Sequence, residues 1–214
     1  MLEFDSIGFV YSDGHEVFKD LTLKLSAGQR IGIIGDNGCG KSTLLHLGAS
    51  ILSPSSGRIL LHGEPCEAKD DVARLRRSLG YLLQNSEDQL FCPTVLEDIA
   101  FGPVNYGDDI AMAEEKSRKI AQKFGIEPLL NRCGITLSGG EKKLAALATI
   151  MVTEPEFLFL DEPTNDLDGA SRSSIASILL ESGLPFIMVS HDEAFLEEMC
   201  NHCYTVENYA LRPL

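Results

Sequence analysis

Long apolar runs are missing from this chain of 214 residues. None approaches the roughly 18 residues that a membrane-spanning helix requires, so no such helix is expected. The start, Met1-Leu2-Glu3-Phe4-Asp5, lacks the basic and apolar segments of a secretion leader. Positive charge is scarce as well. Eighteen Lys and Arg stand against 32 Asp and Glu, for a net charge of −14. Nucleic acid and anionic lipid surfaces repel such a chain, and neither is expected as a partner. Arg74, Arg76 and Arg77 lie near one another and read as a solvated helix face. There is no internal repeat and no low-complexity tract. The six cysteines are scattered, as reduced thiols would be. Cys200-Asn201-His202-Cys203 has zinc-type spacing, but no second pair accompanies it, and a coincidence at a helix end is the preferred reading. The 44% hydrophobic content supports a core, and the length suits one domain, with or without an inserted subdomain.

What is present begins with Gly35-Asp36-Asn37-Gly38-Cys39-Gly40-Lys41-Ser42-Thr43, which reads G-x-x-x-x-G-K-[ST], a phosphate-binding loop. Ile31-Gly32-Ile33-Ile34 precedes it as a buried strand, and Thr43-Leu44-Leu45-His46-Leu47 follows as a helix. The glycines let backbone N–H groups converge on phosphate oxygens, and the helix start adds its positive end. Lys41 is placed to meet the β- and γ-phosphates and Ser42 to hold Mg²⁺.

The remaining pattern alternates strands and helices. Residues 2–11 and 17–25 read as an antiparallel hairpin, 58–62 as a short strand, and 79–83 as an apolar strand ending at Gln84. Thr94 and Glu97 form a capping box ahead of a helix. Residues 110–124 are amphipathic, with Ile110, Ala113, Ile120, Ala121 and Phe124 on one face, supported by Glu114–Arg118 and Glu115–Lys119 at i,i+4. Helices are also predicted over 144–152, 173–180 and 193–199, and strands over 157–160 and 186–189. Residues 204–214 show little pattern. The expected class is α/β: a parallel core and an N-terminal β flank from 1–84 and 136–214, with a helical subdomain over 85–135.

Four further features add to the loop. Asp161 and Glu162 follow the apolar run Phe157-Leu158-Phe159-Leu160. Adjacent carboxylates at a strand end point to opposite sides, so Asp161 suits Mg²⁺ and Glu162 suits an attacking water. Gln84 and His191 each follow an apolar strand, at the edge where open α/β sheets bind ligands. Leu137-Ser138-Gly139-Gly140-Glu141 combines a capping box with bare amides, which reads either as an anion site for a partner chain's nucleotide or as a structural cap.

In this order the motifs resemble those of ATP-binding-cassette ATPases along nearly the whole chain, with Asn165-Asp166-Leu167-Asp168 as the D-loop. The resemblance implies a P-loop NTPase core that binds ATP and Mg²⁺, the metal held by Ser42, Gln84 and Asp161. It implies that Tyr11 stacks on adenine, that Glu162, His191 and Gln84 are catalytic, and that Ser138 and Gly140 of the signature 137–141 contact the γ-phosphate held by the opposite subunit. Asp168 would connect the two sites. Gln84-Asn85-Ser86-Glu87-Asp88-Gln89-Leu90-Phe91, with Pro93-Thr94-Val95 and Asp98-Ile99-Ala100-Phe101-Gly102-Pro103, is similar to the ATPases of energy-coupling-factor importers, which take up cobalt or nickel ions, or vitamins. The implied partners are a second ATPase subunit, identical or paralogous, and integral membrane transporter subunits, with the chain cytoplasmic and peripheral on the inner face of the membrane. Many such relatives carry an added C-terminal segment that helps the two ATPases pair. This chain stops soon after its final strand, and alone at low nucleotide it is expected to be mostly monomeric. Soluble cassettes that act on ribosomes or DNA usually fuse two copies or carry basic surfaces, and this acidic single cassette has neither.

Overall fold

Period-two alternation and continuous apolar runs give this chain two kinds of strand. The computed structural model describes residues 1–36 and 38–214. In chain order the elements are β1 (Leu2–Val10), β2 (Glu16–Leu25), β3 (Arg30–Ile34), α1 (Lys41–Gly48), β4 (Ser56–Leu61), β5 (Glu64–Pro65), α2 (Lys69–Ser78) and β6 (Leu79–Leu82). There follow α3 (Val95–Asn105), α4 (Ile110–Phe124), α5 (Gly139–Met151), β7 (Phe157–Asp161), α6 (Gly169–Ser182), β8 (Phe186–Val189), α7 (Glu193–Met199), β9 (His202–Glu207) and β10 (Ala210–Pro213). Contacts divide the chain into two units, the first being Met1–Leu79, Phe157–Glu162 and Leu184–Leu214, the second Gly80–Glu156 and Pro163–Gly183. The expected arm, 85–135, falls within the second, together with α5 and α6.

In the first unit, alternating residues make an antiparallel sheet in the order β2-β1-β4-β5. Leu21, Leu23 and Leu25 face its core while Thr22 and Lys24 between them are exposed. The apolar runs make the other sheet, where β9, β3, β8 and β7 lie side by side and parallel. Every residue of β7 and β8 is buried, as strands covered on both faces must be. The register aligns Ile33 of β3 and Asp161 of β7 with the same residue of β8, Val189. The phosphate loop and the acidic pair therefore leave the sheet at one edge.

The last eleven residues depart from expectation. They are not patternless: His202–Glu207 joins the sheet beside β3, and Ala210–Pro213 pairs back on it antiparallel. The side chains of β9 are half-buried apart from its two ends, so no clean alternation marks the strand in the sequence. Its partner strand supplies the order that its own pattern does not.

Helix α1 packs Leu44, Leu45 and Leu47 into the core and ends at Gly48. A Cβ at Gly48 would lie 2.5 Å from Cζ of Phe4 and 2.8 Å from the ring of Phe159. Both rings are fully buried. Gly48→Ala is thus expected to lower stability by about 1–3 kcal/mol despite the helix propensity it gains, read as a drop in the denaturation midpoint.

The second unit is mainly helical. Thr94 caps α3 through the N–H of Glu97 while Glu97 accepts from the N–H of Thr94, and Asp109 caps α4. Helix α4 ends at Gly125 in the left-handed conformation and buries Ala113, Ser117, Ala121 and Phe124. Ile110, expected on that face, is exposed, since it begins the first turn. The predicted Glu114–Arg118 and Glu115–Lys119 pairs both form on the surface.

Candidate active site

The phosphate loop connects β3 to α1. Gly40 is the N-cap of α1 at φ +111°, a conformation L side chains rarely adopt, and a Cβ there would come within 2.5 Å of Val17. Only glycine lets the chain turn into the helix at this point. Lys41, the first residue of α1, is buried, with Nζ donating to the carbonyls of Gly35 and, at 3.0 Å, of Asp36. Its ammonium is thus held under the loop on neutral acceptors, which phosphate oxygens would outcompete. Asn37 lies outside the described residues. Gly38 is exposed and Cys39 half-buried. Gly35, Asp36 and Cys39 line a cavity of about 720 Å³ whose wall includes His191.

Tyr11 sits one residue past β1, in the turn closed by the Tyr11 N–H on the His15 carbonyl. Its hydroxyl is 2.8 Å from Oγ1 of Thr43, and its ring meets Phe9 edge-on at 4.8 Å. Backbone turn and loop hydroxyl together fix an exposed aromatic ring beside the loop.

At the same sheet edge, Asp161 ends β7 and Glu162 follows it, both 6% exposed. Glu162 has φ +46°, which is uncommon for a side chain of this kind and costs on the order of 1–3 kcal/mol. Its N–H donates to the carbonyl of Val189, so the sheet ladder holds the strained residue in place. Three groups converge on Oε2 of Glu162: the Ser190 hydroxyl at 3.0 Å, the His191 N–H at 3.3 Å and His191 Nδ1 at 2.9 Å. Ser190 is buried and in turn accepts from the Asp192 N–H. A carboxylate fixed in this way can take a proton from water without first reorienting.

The donors fit magnesium. Ser42, second in α1, and Asp161 offer a hydroxyl and a carboxylate, the hard oxygen ligands Mg²⁺ prefers. Among the described residues no cluster of three or more His, Cys, Asp or Glu could cage a metal.

The remaining predicted residues belong to the second unit. Gln84 is exposed, two residues beyond β6, and lines a cavity of about 190 Å³ with Asn85, Gly139, Lys142, Asn165 and Asp166. Ser138 caps α5: Oγ accepts from the Glu141 N–H, and Glu141 Oε2 accepts from the Ser138 N–H at 2.7 Å. The Ser138 backbone, then its hydroxyl, then Arg132 hold the Glu141 carboxyl below the usual range. Leu137 precedes the cap and is buried, and Gly139 and Gly140 form the first turn. Asp168 caps α6, accepting from the Ser171 N–H at 2.8 Å, and that bond lowers its pKa.

Sequence reasoning missed Ser190, although its place between an apolar strand and His191 is a cue. It also missed Lys143 and Gln89, each of which looks like an ordinary surface residue in a polar stretch. Both make buried or half-buried contacts between segments far apart in sequence. Among the described residues, no group of three or more His, Cys, Asp or Glu that could hold a metal includes Cys200 or Cys203. Burial pushes the Cys200 thiol up to about 12, so it packs as an inert apolar group.

The family described as ABC transporter matches residues 18–165. A putative ABC transporter ATP-binding protein of Nitratidesulfovibrio vulgaris is 43% identical over 97% of this chain and 77% of its own length. The energy-coupling factor transporter ATP-binding protein EcfA of Methanothermobacter thermautotrophicus is 38% identical over 97% of this chain and 68% of its own. Among solved structures, cbiO1 of Clostridium perfringens, described as part of the ABC transporter complex cbiONQ, superposes with a TM-score of 0.88 at 33% identity, covering 99% of this chain and 86% of that one. Loop, acidic strand end, fold and relatives agree, and the chain belongs to the ABC transporter family, as one of its ATPases.

Proposed function

We propose that this ATPase subunit drives an energy-coupling-factor-type importer of a divalent metal ion, cobalt or nickel. The observation that carries the reading is the segment from Gln84 to Pro103, with its Gln-Asn-Ser-Glu-Asp-Gln-Leu-Phe opening. The likeness to EcfA and cbiO1 supports it. A vitamin importer of the same type is the second reading, because EcfA is named for the energy-coupling factor and not for a metal.

In this reading two chains pair head to tail. The loop from Gly35 to Thr43, Asn37 included, takes the triphosphate through its N–H groups and Lys41, while Tyr11 stacks on adenine. Ser42, Gln84 and Asp161 would hold Mg²⁺, which supplies charge neutralisation across the β- and γ-phosphates. Glu162 takes a proton from the attacking water as its oxygen bonds to the γ-phosphorus and the bond to the ADP oxygen breaks. His191 and Ser190 keep Glu162 aimed. Ser138 and Gly140 of the second chain meet the γ-phosphate from the other side, and Asp168 links the two sites. Integral membrane subunits hold the pair at the inner face of the membrane and turn its closure into substrate movement. Among the described residues no helix is long and apolar enough to cross a membrane, which is consistent with that division of labour.

Affinity purification from solubilised membranes is expected to recover integral membrane subunits. Vesicles carrying the complex should accumulate Co²⁺ or Ni²⁺ when supplied with ATP. Accumulation of a vitamin instead favours the second reading, and recovery of ribosomal proteins contradicts both.

A further inference from the structure

Lys143 lies in the second turn of α5, five residues past Ser138, and is only 4% exposed. Its ammonium donates to the carbonyl of Gln84 at 2.7 Å and approaches that of Leu83 at 3.4 Å. Burying an ammonium costs free energy that an apolar side chain of the same length would not incur. What the charge supplies here is a directed bond to the backbone of Gln84.

The same helix face carries two more ties. Gln89 accepts from the N–H of Leu83 at 3.2 Å and donates to the Ala146 carbonyl at 2.9 Å and to Thr149 Oγ1 at 2.8 Å. Lys142 forms an ion pair with Glu87. Residues 83–89 are thus fastened to α5 through positions 142, 143, 146 and 149, while Gln84 and Gly139 line one cavity.

We propose that Lys143 is a positioning residue that ties the glutamine loop to the signature helix, so that Gln84 and the Ser138 helix start move as one piece. Gln89 is the second fastening. A displacement of residues 83–89 is then passed directly to the helix start that reads the partner chain's nucleotide. The proposal rests on the reading of Gln84 as part of the hydrolytic site.

The test is a double-mutant cycle on the purified chain, with ATP turnover and melting temperature as readouts. Lys143→Met, which keeps length and removes charge, should lower kcat by about ten- to a hundredfold while KM for ATP changes less than about twofold. Lys143→Arg should restore most of the loss, which a purely packing role would not predict. In a Gln84→Ala background, Lys143→Met should have no further effect. Unchanged kcat in Lys143→Met, or a full additional loss on top of Gln84→Ala, overturns the proposal. Gln84→Ala with normal kcat rejects instead the reading of Gln84 on which it rests. Should Lys143→Met fail to fold, Gln89→Met in the same cycle carries the test, with the same non-additivity expected and additivity overturning it.

Discussion

Glu162→Gln is expected to bind ATP normally and to lose turnover, with kcat lower by about 10²–10⁴-fold, the usual contribution of a positioned general base. The substitution keeps the size of the side chain and its acceptor oxygen. The Ser190 hydroxyl and the His191 N–H, at 3.0 and 3.3 Å from Oε2, therefore retain a partner, and the left-handed turn at Glu162 is still held by the Val189 carbonyl. What disappears is the negative charge proposed to take the proton of the attacking water. Binding should survive if the phosphate contacts come, as proposed, from the loop and Lys41. Phosphate release and equilibrium binding of a fluorescent ATP analogue measure the two separately. Turnover near the unmodified rate rejects Glu162 as the base, and loss of binding would mean that the residue holds the nucleotide and not the water.

Ser138→Arg is the second large effect. Ser138 caps α5 and is exposed, and within its own unit its hydroxyl acts on Glu141, whose N–H it caps. Loss of that bond on replacement by Arg or Ala costs about 1 kcal/mol of stability. Arg additionally fills the space in front of the bare helix start with a long side chain. If that start meets the γ-phosphate held by another chain, kcat should fall by about 10²–10³-fold, the scale for losing one pre-aimed donor. ATP affinity of the free subunit should not change. Ser138→Ala loses the cap alone, so comparing the two variants separates stability from catalysis. Equal kcat in both would reduce Ser138 to a structural cap.

The sequence made the phosphate loop legible because its chemistry is local: glycines, a lysine and a hydroxyl must follow a buried strand and open a helix. Asp161, Glu162 and His191 were legible for a related reason, since continuous apolar runs mark buried parallel strands and the polar residue after each must emerge at the sheet edge. The capping boxes at Thr94 and Ser138 also read directly, because each is confined to four residues. What escaped depends on partners distant in sequence. β9 takes its order from β3, some 170 residues earlier, and its half-buried face leaves no alternation. Lys143 reads as a surface lysine until its ammonium is seen on the Gln84 carbonyl. Ser190 acquires a role only when Glu162, 28 residues before it, folds back beside it.

In the proposed enzyme each chain carries halves of two different sites, Lys41 and Glu162 acting in one and Ser138 in the other, so that a second chain completes it. Sedimentation of Glu162→Gln with and without ATP tests this most directly. The chain should sediment as a monomer without nucleotide and as a dimer holding two ATP molecules with it, and adding Ser138→Arg should return it to a monomer that still binds ATP. A Glu162→Gln chain that remains monomeric while fully loaded with ATP would contradict the shared site.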